Sequence, residues 1–272
     1  MPSPAPAIED SRILVTGASS GIGAEFARQL APRARALVLT GRDAERLSSV
    51  VPAEHAARVA TIVTDLSTSG GVSDLVSEVG EAPDILINNA GITLGGPFAR
   101  QSTDEWETVV ETNVLAPLRL IHAFLPAWTA RGSGAVLDVT SVAAFIACPG
   151  QTVYAASKSF LHSFSEGVAG EWRGSGIRMT ILAPGSTRTP LFRRGGIDES
   201  KLLKSYLSPE RVAQEGIRAL ERGKPLTIPG WSNRALDLAV RWLPRGITRR
   251  MSRRIFAPLL VEEVGDSGDA PR

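Results

Sequence analysis

The segment that most narrows the fold lies near the amino terminus. Arg12-Ile13-Leu14-Val15-Thr16 is a short apolar run rich in β-branched residues and reads as a buried strand. It enters Gly17-Ala18-Ser19-Ser20-Gly21-Ile22-Gly23, and a helical pattern follows with Phe26, Ala27 and Leu30 on one side. Strand, glycine-rich turn and helix in that order form a dinucleotide-binding entry. Glycines let the backbone approach a pyrophosphate, and the helix amino terminus adds N–H groups and a partial positive charge. The plainer reading is a tight turn that needs glycine only for its dihedrals. Its place between strand and helix favours the cofactor site.

The alternation continues down the chain. Strands are expected at 37–40, 58–64, 84–87, 135–140, 178–182 and 226–228, and helices at 103–125, 154–172 and 209–222. That order implies an α/β protein: a Rossmann-type, doubly wound parallel sheet with helices on both faces, forming a single domain. The expected layout is a disordered lead-in at 1–11, the Rossmann domain at 12–228, a C-terminal helical extension at 229–260 and a disordered tail at 261–272.

Composition bounds the partners. The 272 residues carry a formal net charge of +2, too little to suggest nucleic acid. A single cysteine makes no internal disulfide, no basic region and apolar core mark a signal peptide, and no apolar run reaches the ~18 residues that cross a bilayer. A cytoplasmic protein is the expectation, and no metal site is anticipated.

Several residues stand where chemistry would need them. The second strand ends in Gly41-Arg42-Asp43, where an NAD site would want a carboxylate for the ribose 2′-hydroxyl. The Arg42 guanidinium suits a 2′-phosphate instead, so NADP (NADPH) is the expected cofactor; the alternative is a solvated loop cation, with Asp43 capping the next helix. Asp65-Leu66 closes the third strand, either facing an adenine or capping a helix. Asn88-Asn89-Ala90-Gly91 follows the fourth and lets the backbone pass close to a cofactor, unless it is a plain turn. Asn113 lies inside a long helical pattern, where asparagine gains nothing from propensity. Ser141 follows the fifth strand. Phe145, Ile146 and Cys148 after it line a pocket or pack beneath a loop, and Cys148 reads as a small filler. Tyr154 and Lys158 are four apart on a helix and share a face, where an ammonium would lower the phenol's pKa and equip it for acid–base work.

Together, Thr16-Gly17-x-x-x-Gly21-x-Gly23, Asn88-Asn89-Ala90-Gly91, Asn113, Ser141, Tyr154-x-x-x-Lys158 and Pro184-Gly185 resemble the short-chain dehydrogenase/reductase family in order and spacing, over residues 12–228. The resemblance implies that Tyr154 is the general acid in reduction, and that Lys158 lowers its pKa and bonds the nicotinamide ribose. It implies that Ser141 donates to the substrate carbonyl and that Asn113 holds a water linking Lys158 to solvent. Cofactor contacts would come from Gly17, Ser19, Ser20, Gly21, Ile22, Gly23, Arg42, Asp65, Leu66, Asn89, Ala90 and Gly91, and from Tyr154 and Lys158. Pro184, Gly185, Thr187 and Thr189 would meet the carboxamide, and Asn88 would support the cofactor-side backbone. Thr187 stands where the family usually has a branched apolar residue. A homodimer or homotetramer is implied as well.

The implied reaction is NADPH-dependent reduction of a ketone or aldehyde on a hydrophobic small molecule, or alcohol oxidation in reverse. One rival is a 3-oxoacyl-thioester reductase, with Arg193, Arg194, Lys201 and Lys204 attracting a phosphorylated carrier. Another is a non-catalytic NADP-binding sensor or scaffold, against which the intact Tyr154, Lys158, Ser141 and Asn113 argue. In the extension, Trp231, Leu236, Ala239, Val240 and Leu243 recur at helical spacing, as do Ile247, Met251 and Ile255, with arginines at 241, 245, 249, 250, 253 and 254. That pattern suits an anionic membrane surface. The preferred reading is simpler: a solvated basic face on helices that cover the cleft or a subunit interface.

Overall fold

The computed structural model describes residues 6–198 and 206–260. Among them, β1 (Arg12–Thr16), β2 (Ala36–Gly41), β3 (Val59–Val63), β4 (Ile85–Asn88), β5 (Gly134–Val139), β6 (Ile177–Leu182) and β7 (Leu226–Thr227) form one parallel sheet in the order β3-β2-β1-β4-β5-β6-β7. The chain steps outward from β1 to β3, then returns to lay β4 on the other side of β1. That reversal opens a crevice beyond the carboxyl ends of β1 and β4, the place where doubly wound sheets bind ligands.

Ten α-helices accompany the described strands: α1 (Gly21–Leu30), α2 (Ala44–Ser49), α3 (Ser69–Val79), α4 (Thr103–Val110), α5 (Ala116–Arg131), α6 (Thr152–Glu171), α7 (Leu191–Arg194), α8 (Pro209–Glu221), α9 (Trp231–Trp242) and α10 (Arg245–Phe256). Alternation along the strands sorts the core into two layers. Ile13, Val15, Ile85 and Ile87 pack with Phe26, Leu30 and Ile217 on the α1/α8 face. Leu14, Leu86 and Val136 pack with Leu75, Phe124 and Trp128 on the other. Trp128 is fully buried; its indole N–H donates to the Pro83 carbonyl at 2.7 Å, and its ring packs against Phe124 and Trp172. Asp43 caps α2 by accepting from the Arg46 N–H at 2.9 Å.

Two expectations are corrected. The helix expected over 103–125 is not continuous: α4 and α5 are separated by a π-turn at Glu111–Leu115 with Asn113 at its centre. An extra residue per turn rotates Asn113 inward to bond the backbone of Ile92, a long-range partner that local periodicity cannot reveal. The expected lead-in at 1–11 is partly ordered. Ile8–Asp10 form a 3-10 turn, Ile8 is buried in the α1/α8 core, and Glu9 pairs with Arg33 at 2.6 Å. One large apolar side chain in a Pro/Ala-rich stretch is enough to tie it down. Residues 1–5, 199–205 and the tail at 261–272 lie outside the described residues.

Candidate active site

β1 delivers the glycine turn to the crevice, and β4 delivers its support. Gly17 has φ +65°, and a β-carbon there would sit 2.8 Å from the Ala90 Cα. Only glycine fits that position. The Asn89 side chain donates to the Thr16 and Gly17 carbonyls at 2.9 and 3.2 Å, and the N–H groups of Asn89 and Ala90 both donate to the Thr16 hydroxyl at 3.0 Å. This supporting task was expected of Asn88 and falls to Asn89. Neighbouring strand residues point to opposite sides, so Asn88 turns away and donates to Asp138 Oδ1 at 2.9 Å.

The crevice encloses a cavity of about 670 Å³. Gly17, Ser19, Ser20, Gly21 and Ile22 line its floor with Arg42, Asp65 and Leu66, and Asn89, Ala90 and Gly91 line the facing edge. Ser141, Tyr154, Lys158, Pro184, Gly185, Thr187 and Thr189 complete the wall. Two expected residues do not line it. Gly23 packs behind the turn against the Gly17 carbonyl and Asn89, and Asn113 is buried beneath the surface. Asp65 also accepts from the Ser67 N–H at 2.9 Å, so it shapes its own turn while facing the cavity.

The residues fit a dinucleotide. Ser20, at the N-cap of α1, makes no side-chain cap, which leaves the first-turn N–H groups open toward the crevice. Arg194, on α7, donates to the Ser20 hydroxyl at 3.2 Å. Burial and then the neighbouring Arg46 and Arg42 guanidiniums hold its pKa below the usual arginine value, while Asp43 opposes them. Such a cluster of cations, with Asp43 as the nearby carboxylate, is suited to a phosphate.

At the inner end, α6 presents Tyr154 and Lys158 one turn apart, only 6% and 4% exposed. The Lys158 ammonium donates to the Val139 carbonyl at 2.9 Å and lies 6.0 Å from the Tyr154 ring centroid. Gly91 passes between Lys158 and Asn113, where a β-carbon would meet Nζ at 3.2 Å and Oδ1 at 3.3 Å. Asn113 accepts from the Ile92 N–H and donates to the Ile92 carbonyl, both at 2.9 Å, and donates to the Ser157 hydroxyl at 3.0 Å. It clamps the strand exit beside the lysine. Ser141 accepts from the Ala143 N–H at 3.1 Å, and it hydrogen-bonds the Tyr154 hydroxyl.

The electrostatics differ from the simplest expectation. Burial pushes the Tyr154 phenol up to about 12, and the Ser141 bond only partly offsets it. The net shift is upward despite the lysine one turn away, and Lys158 is itself desolvated: burial brings it down to about 8, with Asp138 pulling the other way. Asp138, wholly buried on β5, is pushed up to about 6 by burial, against bonds from Ser165 and Asn88 and the charge of Lys158. The resting tyrosine is therefore a proton donor throughout the neutral range. Cys148 is buried with its thiol pushed up to about 12, so it is an inert filler.

Two contributors were not foreseen: Asp138, which sits in an apolar strand, and Arg194 at the phosphate end, where it was expected only to attract a phosphorylated carrier. Ile255 and Phe256 reach the cavity from α10, more than 95 residues beyond Lys158 in sequence, as helices covering the cleft would.

The sheet, the switch point and the Ser–Tyr–Lys group define a dinucleotide-binding oxidoreductase. Residues 11–199 match the short chain dehydrogenase family, and the chain belongs to it. It is 37% identical to sulfoacetaldehyde reductase 2 of Chromohalobacter salexigens over 193 residues, covering 68% of this chain and 76% of the relative. A short-chain dehydrogenase from Sphingobium yanoikuyae solved with NADPH is 32% identical, with TM-score 0.77 over 85% of this chain and 93% of that one. A bulky-bulky ketone specific alcohol dehydrogenase from Comamonas testosteroni is 25% identical, with TM-score 0.72 over 96% of this chain and 98% of that one.

Proposed function

We propose that the protein is an NADPH-dependent reductase of ketones or aldehydes carried on an apolar small molecule, running in reverse as an alcohol dehydrogenase. The observation that carries this reading is Ser141 beside the buried Tyr154–Lys158 pair at the inner end of a cavity whose outer end is the phosphate-suited glycine turn. NADPH, when bound, supplies the hydride. Ser141 donates to the carbonyl oxygen and stabilises the charge that develops there. Tyr154, protonated at neutral pH, gives its proton to that oxygen. The Lys158 ammonium then stabilises the phenolate left behind. Asn113 fixes the Ile92 backbone and Gly91 beside the lysine, and a water near it would link Lys158 to solvent.

The fold suits NAD as well as NADP, so the preference for NADP rests on Arg42 and Arg194 beside the turn. Val142, Ile146, Leu191, Phe192, Ile255 and Phe256 give the cavity an apolar wall, which supports a hydrophobic substrate. The likeness to an enzyme specific for bulky ketones supports the same class. The carrier-binding alternative loses support because Arg194 turns to Ser20; Lys201 and Lys204 lie outside the described residues. A chain whose fold depends on no disulfide is suited to the cytoplasm. The test is NADPH oxidation by the pure protein on ketones and aldehydes graded in size, with NADH in parallel. Turnover that rises with apolar bulk and favours NADPH is expected. Turnover confined to small charged aldehydes, or equal use of NADH, would contradict the reading.

A further inference from the structure

α9 carries an apolar stripe that no part of the described chain covers. Trp231, Ala235, Leu238 and Trp242 follow one another at spacings of four, three and four, and so lie along one side of the helix. Both tryptophans are 82% exposed and Leu238 is 59% exposed. The helix is held from its other side: Asn233 donates to the Pro229 carbonyl at 2.7 Å and packs on Gly185, and Arg234 donates to the Ile228 carbonyl at 2.8 Å. The stripe therefore faces outward. α10 continues it with Ile247 and Met251, 48% and 41% exposed.

Charge identifies what fits this surface. From residue 238 to residue 261 the chain contains six arginines and no Asp or Glu. Those on α10, including Arg249, Arg250 and Arg253, are exposed. A second copy docked face to face would oppose one arginine-rich surface with another. An anionic lipid surface complements it, accepting tryptophans at the headgroup level and arginines at the phosphates. Covering the cavity, the simpler role expected of the extension, uses only the far end of α10, where Ile255 and Phe256 reach the cavity and Leu259 packs on Gly150. That leaves the α9 stripe without a task.

We propose that the outer faces of α9 and α10 form a monotopic docking surface for anionic bilayers, with the helices in the headgroup plane and the Trp231–Leu238–Trp242 stripe inserted. Because α10 also walls the cavity, docking would set the mouth of the site beside the lipid and allow apolar carbonyl compounds to enter from it.

The test is co-sedimentation of the full chain with vesicles of phosphatidylcholine alone and of phosphatidylcholine mixed with phosphatidylglycerol. Binding to the mixed vesicles is expected, with little to phosphatidylcholine alone and release at high salt. Combined Trp231→Ser, Leu238→Ser and Trp242→Ser should weaken that binding at least about tenfold, and Arg249→Glu with Arg253→Glu should abolish the preference for phosphatidylglycerol. NADPH binding in solution, unchanged in both variants, keeps a folding defect from being read as lost docking. No binding to the anionic vesicles, or equal binding by the serine variant, would overturn the proposal. So would lipid-free self-association of the wild type that the serine variant abolishes, since the occupant would then be a second copy.

Discussion

Two groups of tryptophans lie at opposite extremes in this molecule. Trp128 is fully buried beneath the sheet with its indole N–H satisfied, whereas Trp231 and Trp242 stand 82% exposed on α9. In sequence they look alike, each an aromatic at helical spacing among apolar neighbours. The difference is set by what lies opposite. The α5 face meets Leu86, Val136 and Met179, while the α9 stripe stays largely open to solvent. Periodicity shows that a helix has an apolar side, but not whether the chain itself supplies the surface that covers it.

The largest effect should come from the buried member of the pair. Trp128→Ala removes a ring packed between Phe124 and Trp172 and the indole bond to the Pro83 carbonyl, which keeps only its bond from Arg131. A loss of about 3–5 kcal/mol is expected, seen as a fall in melting temperature of roughly 6–20 °C. A fall of a degree or two would show that the core closes over the cavity.

Next comes the cation cluster at the outer end of the site. Arg42→Ala together with Arg194→Ala should weaken NADPH binding by ~10–150-fold and leave NADH nearly untouched. Parallel titrations with the two cofactors check this, and equal losses would move those arginines off the 2′-phosphate.

A smaller, pH-resolved effect should come from Asp138. Lys158 is charged below about 8 and loses its proton above it, so carbonyl reduction should fall on that alkaline limb. Asp138, charged above about 6, favours the ammonium, so Asp138→Asn should move the limb to lower pH. A kcat/KM profile unchanged by the substitution would remove Asp138 from the control of Lys158.

The smallest effect returns to the exposed pair. Trp231→Ser with Trp242→Ser should change stability by no more than ~0.5 kcal/mol and leave turnover of water-soluble carbonyls intact. A large destabilisation would mean that α9 packs against something in the molecule after all.

The same contrast explains what the sequence made legible. The strand–helix alternation, the glycine turn and the Tyr154–Lys158 pair are local patterns, and the structure brings the last two to one crevice. Asn113 was visible as an oddity in a helix, but the π-turn that aims it depends on Ile92, 21 residues away. Asn88 and Asn89 are adjacent and chemically identical, and only the pleat of β4 decides which one holds the turn. Asp138 is a carboxylate in an apolar strand whose partners, Asn88 and Ser165, come from other elements. The expected lowering of the Tyr154 pKa weighed the lysine's charge but not the burial of both groups. Ile8 was lost in a stretch whose composition suggested disorder.

The most direct measurement is single-turnover reduction by Tyr154→Phe, run beside NADPH binding by the same variant. If the phenol delivers the proton, reduction should slow by ~10²–10⁴-fold while the dissociation constant for NADPH stays within about threefold, a change of less than ~0.7 kcal/mol. Reduction at an undiminished rate with NADPH still bound would contradict the role assigned to Tyr154.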